Sequence, residues 1–297
     1  MHARKCSLRR RRAFVLILVS LSAMLSGCRS RDASAAGVVP ANSTGVHSYS
    51  TTFAGAERPI SEGGYWIGGS NGGASLWKGR LLRGGRLWGD VQTSSGLAFG
   101  VDEPTEYGDP TAILAGDWGP TQTVTATVKI NHTPAAGCCR EVELRLRTTI
   151  SPLSITGYEA YCSVVPDNPY CHIARWNGPN GSFWNFETQS AATYLLDGDV
   201  ITATATGTNP TVITLFRNGE QILQAVDTGA AGGGFGAFGP WTSGNPGIGF
   251  FNPRETHWQD FGFSSFSATD DTRQALQVST QVPGKTTSLV SLRPLPH

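Results

Sequence analysis

The sequence predicts an all-β protein built as an antiparallel sandwich or barrel, and three observations carry that prediction. First, the 297 residues include 37 Gly and 17 Pro but only 15 % charged side chains, where about 7 % Gly and 25 % charged residues are usual. Charge-laced helices and coiled coils need far more Glu, Lys and Arg, and a chain with 8 Trp and 13 Phe is not globally disordered. Second, apolar and polar residues alternate in several segments with the period of a half-buried strand. Third, Asn-Gly and Asp-Gly pairs separate these segments, and no stretch between Tyr49 and Asp270 keeps a 3.6-residue period free of Gly or Pro. Closely spaced strands without helical crossovers make an antiparallel sheet architecture.

Residues 1–27 read as an export signal. Arg4, Lys5 and Arg9 to Arg12 form a basic start, and Ala13 to Leu25 an apolar run of 13 residues. That run is shorter than the roughly 20 residues that span a bilayer. It ends in Leu25-Ser26-Gly27-Cys28, which resembles the bacterial lipobox. Cys28 is therefore expected to carry lipid and to tether an exported protein to the periplasmic or cell-surface face of a membrane. Without the signal, 17 basic side chains face 22 acidic ones, a net charge of −5. A mildly acidic body excludes a nucleic-acid phosphate partner, which requires a basic face. Residues 28–48 are Ala/Ser/Gly-rich, as a flexible tether is, and residues 271–297 read as a poorly ordered tail. The folded domain is expected over residues 49–270, as a monomer.

Cys138, Cys139, Cys162 and Cys171 remain for an oxidising compartment. Cys162 and Cys171 flank a loop with two prolines between strand-like segments, so a hairpin would place them opposite each other and pair them. Cys138 and Cys139 would then form a vicinal bridge or stay reduced, and the alternative staples that pair to the hairpin. No zinc site is expected, since only His172 stands near ligand spacing.

The strands follow in order. Val124, Ala126, Val128 and Ile130 alternate with threonines and Lys129; Val142, Leu144 and Leu146 alternate with Glu141, Glu143, Arg145 and Arg147; Ile201, Ala203 and Ala205 alternate with threonines. Val212 to Phe216 and Gln221 to Val226 flank Asn218-Gly219, a strong hairpin signal. Further turns are expected at Asn71-Gly72, Asn177-Gly178, Asn180-Gly181 and Asp197-Gly198.

The succession Tyr65-Trp66, Glu-Val-Glu-Leu-Arg at 141–145, Leu-Leu-Asp-Gly-Asp at 195–199, Leu-Phe-Arg-Asn-Gly-Glu at 215–220, Asn245 to Phe250 and Trp258-Gln259-Asp260-Phe261 resembles the concanavalin A-like lectin/glucanase superfamily, particularly its laminin-G-like bacterial members. The resemblance implies a jelly roll of two stacked antiparallel sheets with sugar bound across one of them. It also implies that Asp260, with Glu57 as partner, helps to hold a structural Ca²⁺; no other cofactor is expected. The glucanase signatures Glu-x-Asp-x-Glu and Glu-x-Asp-x-x-Glu are both broken here, since Arg145 and Leu146 stand where the last Glu belongs. The Arg-x-Glu-Leu-Arg of jelly-roll alginate lyases is matched only by Glu143-Leu144-Arg145.

Glu141, Glu143, Arg145 and Arg147 should share one face of one strand, alternate residues lying about 6.6 Å apart at roughly 3.3 Å per residue. Paired carboxylates at such spacing serve glycosidases, so Glu141 and Glu143 are the catalytic candidates, and the arginines would lower their pKa values. Equally, the row could be a solvated face of ion pairs. Rings stack on the apolar faces of sugars, and the aromatics around the Cys162–Cys171 hairpin supply Tyr158, Trp176 and Trp184, with both tryptophans expected to be exposed. The leading expectation is a polysaccharide- or oligosaccharide-binding module. The alternatives are a polysaccharide-degrading enzyme, using Glu141 or Glu143 with Arg145 and Arg147 on an acidic sugar, and a non-catalytic adhesion scaffold.

Overall fold

The computed structural model describes residues 46–69, 87–101, 106–107, 109–134, 136, 139–151, 154–178, 183–188, 193–229, 239–252 and 257–271. The signal, Cys28, most of the tether, nearly all of the tail, Cys138 and the Asn71-Gly72 and Asn180-Gly181 turns lie outside these residues. The alternating segments are strands: β1 (Ser48–Thr51), β2 (Trp66–Gly68), β3 (Leu87–Trp88), β4 (Asp90–Ser94), β5 (Leu97–Val101), β6 (Glu106–Tyr107), β7 (Thr111–Leu114), β8 (Gln122–Ile130), β9 (Glu141–Ser151), β10 (Ser154–Ser163), β11 (Cys171–Gly178), β12 (Phe183–Thr188), β13 (Val200–Thr206), β14 (Thr211–Arg217), β15 (Glu220–Asp227), β16 (Asn245–Phe251) and β17 (Phe261–Thr269). The only helical elements among the described residues are two three-residue 3₁₀ turns, and none of these residues forms a helix long and apolar enough to cross a membrane.

Two antiparallel sheets make a sandwich. One runs β15-β14-β13-β8-β17-β5-β4 with β1 added to β17, and the other runs β12-β11-β10-β9-β16-β7-β2. Non-consecutive neighbours, such as β9 beside β16 and β8 beside β17, show that the chain crosses repeatedly between sheets. The parity of each strand decides what fills the middle. Val142, Leu144 and Leu146 of β9 face Val124, Ala126 and Val128 of β8 and Ile201, Ala203 and Ala205 of β13 in one cluster, all essentially inaccessible. Each buried Val or Leu contributes about 1.5–3 kcal/mol, so the predicted alternation is also the main source of cohesion.

The local signals map onto specific geometry. Asn218 and Gly219 both have positive φ (53° and 84°) and close the β14–β15 hairpin, the backbone that a type I′ turn demands. Cys162 and Cys171 are directly opposed in the β10–β11 register and form a disulfide, which excludes stapling of this hairpin to Cys138 or Cys139. Asn177-Gly178 is not a turn. Both residues belong to β11 and pair with Thr156 and Ile155, because the hairpin signal is overridden by an adjacent strand. The two ends of the domain are clamped together: Asp270 accepts from the His47 backbone N–H at 2.6 Å and from Gly119 N–H at 2.8 Å.

An acid-rich pocket over strand β9

Strand β9 carries chemistry on the face opposite the core. Glu141, Glu143 and Arg145 project there together with Glu159 and Tyr161 of β10, since Glu143 opposes Tyr161 and Arg145 opposes Glu159. On the other side β16 supplies Gly249 opposite Glu143 and Gly247 opposite Arg145. Gly249 makes room for the charged side chains: a Cβ there would lie 2.1 Å from Glu143 Oε2 and 2.9 Å from Arg145 Nε, whereas a Cβ on Gly247 would meet Ala112 O of β7 at 2.2 Å. Asp109, just before β7, completes the group.

Arg145 is fully buried and gathers three carboxyl groups. Its Nη2 donates to Asp109 Oδ1 at 2.5 Å and to Glu143 Oε2 at 2.5 Å, and its Nη1 donates to Glu159 Oε2 at 2.7 Å. Trp176 Nε1 donates to Glu159 Oε2, and the Tyr170 hydroxyl donates to Glu141 Oε1. The Arg145 guanidinium also lies 5.4 Å from the Trp176 ring centre, a cation–π distance. Above this layer is a cavity of about 190 Å³ whose polar lining is Asp109, Glu141 and Glu159 and whose rings are Tyr161, Trp176, Phe183 and Phe251. Cys139 lines it as well and is held in a disulfide.

The row is therefore neither solvated nor tuned as expected. Glu143 and Arg145 are 1 % and 0 % exposed. Burial, which disfavours the charged form, outweighs the neighbouring guanidinium: it pushes Glu141 up to about 8 and Asp109 up to about 7. Glu143 is raised well above the carboxylate range by burial and by the charge of Glu159. The expectation that arginines lower these values fails because one arginine serves four acids away from water.

Other expectations are corrected by the backbone. Arg147 does not share the row: β9 bulges between Leu146 and Thr149, Arg147 has φ 48°, and its side chain turns toward the opposite sheet. There it donates to Pro120 O, Trp241 O, Gly207 O and Thr211 Oγ1 at 2.5–2.9 Å. Tyr158 faces the core, fully buried, with its hydroxyl donated to Asp227 Oδ2 at 2.7 Å. Trp176 is 2 % exposed rather than open, and its neighbour across the strand pair is Phe183. Trp184 is exposed, but strand alternation places it on the other face from Phe183. With Arg147 turned away and both terminal nitrogens of Arg145 committed, neither arginine of the row offers a guanidinium fork to an acidic sugar.

Among the described residues, Asp260 and its expected partner Glu57 meet other groups. Asp260 Oδ1 meets His132 Nδ1 at 3.0 Å, while Glu57 accepts the backbone N–H groups of Ser61 and Glu62 at 2.5 and 2.6 Å. Among the described residues no three His, Cys, Asp or Glu side chains come together in a way that could hold a metal ion.

Asp109 and Glu159 were missed as site residues. Glu159 could have been found from the pattern Tyr158-Glu159-Ala160-Tyr161, which places a Glu and a Tyr on one face of the strand after β9. Asp109 lies before a strand of four residues and carries no sequence signal.

No family model and no curated protein matches the sequence. Similar solved structures include the carbohydrate recognition domain of Emp46p, in a point-mutant form (TM-score 0.44, 10 % identity, 75 % of this chain and 96 % of that one). The β-porphyranase of the human gut bacterium Bacteroides plebeius has TM-score 0.37 and 12 % identity, over 77 % of this chain and 94 % of that one. The carbohydrate-binding module CBM66 of Bacillus subtilis has TM-score 0.35 and 11 % identity, over 58 % and 82 %. Scores this low carry no argument about chemistry, which rests on the chain's own residues.

Proposed function

We propose that this chain is an exported lipoprotein, acylated on Cys28, whose sandwich binds a saccharide in the pocket over β9. The observation that carries the binding reading is that one pocket combines carboxyl groups, able to fix hydroxyls, with ring faces able to stack on a sugar. Its volume is below the roughly 300–1,000 Å³ of drug-sized sites, so it fits one sugar unit or a chain end rather than a long segment. The anchoring reading is supported by the basic start, the apolar run and Leu25-Ser26-Gly27-Cys28.

One observation favours a hydrolytic second reading. Glu141, held up to about 8, keeps a proton at neutral pH that a general acid would donate to a leaving oxygen. A glycan array run together with reducing-sugar and unsaturated-product assays separates the readings. Binding without product, weakened at least tenfold in Phe183→Ala, marks a binding module; product that disappears in Glu141→Gln marks an enzyme. No binding and no turnover across neutral, acidic and amino glycans would refute both. Anchoring has its own check: Cys28→Ala should abolish acylation and release the protein from membranes.

A further inference from the structure

A second cleft lies at the end of the other sheet, where β8 ends at Ile130 and the 3₁₀ turn Trp258–Asp260 leads into β17. It measures about 590 Å³ and is lined by Asn131, His132, His257, Trp258, Gln259 and Asp260. None of these residues lines the pocket over β9. The volume falls within the roughly 300–1,000 Å³ of small-molecule sites.

The backbone frame of this cleft is closed on itself. The Asn131 and His132 N–H groups donate to Asp260 O at 2.7 and 3.2 Å, and the Asp260 N–H donates to His257 O at 3.0 Å. The Asn131 side-chain amide donates to Gln259 O at 2.9 Å. Trp258 packs against Leu97, Phe99 and Val101 of β5, so the ring that borders the cleft is held in place.

Side chains are therefore what the cleft offers a ligand. The His132 side chain is 79 % exposed and its Nδ1 meets Asp260 Oδ1 at 3.0 Å. With Nδ1 donating, Nε2 of a neutral imidazole is an acceptor. Asn131 and Gln259 are exposed, and a carboxamide carries donors and an acceptor side by side. Trp258 Nε1 is buried and has no hydrogen-bond partner. Buried donors ordinarily find an acceptor, and this one belongs to a residue of the lining.

We propose that this cleft is a second saccharide site, taking a short segment of a neutral glycan with one sugar face on the Trp258 ring and hydroxyls on the Asn131, His132 and Gln259 side chains. Sugar hydroxyls need donors and acceptors together, and their apolar faces need a ring. The lining holds no permanently charged base for an anion, and its single acid already meets His132. A peptide added as a strand would find the main-chain groups of Asn131, His132 and Asp260 already joined to one another. A metal ion is disfavoured, because among the described residues no three His, Cys, Asp or Glu side chains come together to hold one. The site goes beyond the reading of the β9 pocket, and either can stand without the other.

The test is titration calorimetry of the whole chain with tetramers of β-1,4-glucan, β-1,3-glucan and α-1,4-glucan. An α-1,4-galacturonan tetramer serves as the acidic probe and tetra-alanine as the peptide probe. Each is titrated into the parent protein and into Phe183→Ala, which weakens the β9 pocket. At least one neutral tetramer should bind Phe183→Ala and shift the Trp258 indole N–H resonance. Adding Gln259→Ala or His132→Ala, both at exposed side chains, should weaken that binding at least fivefold with unchanged melting. Neutral tetramers that bind the parent but not Phe183→Ala, or binding to Phe183→Ala that neither added substitution weakens, would overturn the second site and leave the β9 reading standing. Galacturonan or tetra-alanine bound as tightly as the best neutral tetramer would overturn the ligand class. Binding to the parent that survives Phe183→Ala in full but is lost in Gln259→Ala supports this site and overturns the β9 reading instead. No neutral tetramer bound by either protein overturns this site.

Discussion

Two buried arginines on neighbouring parts of the same sheet meet opposite fates. Arg175 of β11 faces inward, donates to Asp227 Oδ1 of the facing sheet at 2.7 Å and to Asn177 Oδ1 at 3.0 Å, and lies over the Phe186 ring. Asp227 in turn receives the Tyr158 hydroxyl and the Gly229 N–H. The Arg175 and Asp227 charges meet directly, and the partners tie the two sheets together. Arg145 of β9 faces the other way and meets three carboxyl groups, and both its own Nε and Glu143 Oε1 are left without a hydrogen-bond partner. A balanced buried pair fixes structure, whereas an unbalanced one beneath a pocket stores an electrostatic cost that only protons or a ligand can relieve.

That contrast predicts where stability is lost. Asp227→Ala removes the acid to which both Arg175 and the Tyr158 hydroxyl donate, and should cost about 3–5 kcal/mol, read as a lower urea midpoint at unchanged slope. Gly249→Ala drives a Cβ into Glu143 and Arg145. Overpacking of this kind costs about 1–3 kcal/mol and should also lower saccharide affinity, whereas loss of stability with full affinity would separate the cluster from the pocket.

The pH dependence should sharpen the contrast further. Asp109 and Glu141 have folded values raised to about 7 and 8, far above those of the unfolded chain. Their contribution to stability is fully present below the unfolded values, about 4, and is lost as pH rises through about 7 and 8. Thermal melting followed from pH 5 to 9 should therefore fall, and Glu141→Gln should flatten the decline. The smallest effect belongs to the exposed pair Lys129–Asp197 at 3.3 Å: Lys129→Ala should change stability by less than about 0.5 kcal/mol.

Much of the fold was legible in the sequence because strand parity is a local property. The inward faces of β8, β9 and β13 follow directly from Val124-x-Ala126-x-Val128, Val142-x-Leu144-x-Leu146 and Ile201-x-Ala203-x-Ala205, and Asn218-Gly219 marks its own hairpin. The same rule misplaced Arg147, because a single bulge reverses parity and nothing in Arg-Leu-Arg-Thr announces one. Glu141 and Glu143 were recognisable as a chemical row, yet the sign of their pKa shift was not. That sign comes first from burial, to which Trp176 and Phe183 contribute by lining the pocket, and then from the charges of Glu159 on the next strand and Asp109 before β7. Trp176 looked like an exposed stacking ring for the same reason: its cover comes from Arg145 and Phe183, which are remote in sequence or on the next strand.

The most direct test is the protonation of Glu141 itself, followed by side-chain carboxyl carbon-13 resonances across pH 4 to 10, with and without a saccharide that the glycan array selects. A midpoint near 8 in the free protein, shifting when a saccharide binds, is the expected result. A Glu141 that titrates near 4.5 in the free protein, or one that is unmoved by a bound saccharide, would contradict the claim that this buried acid cluster is a ligand site.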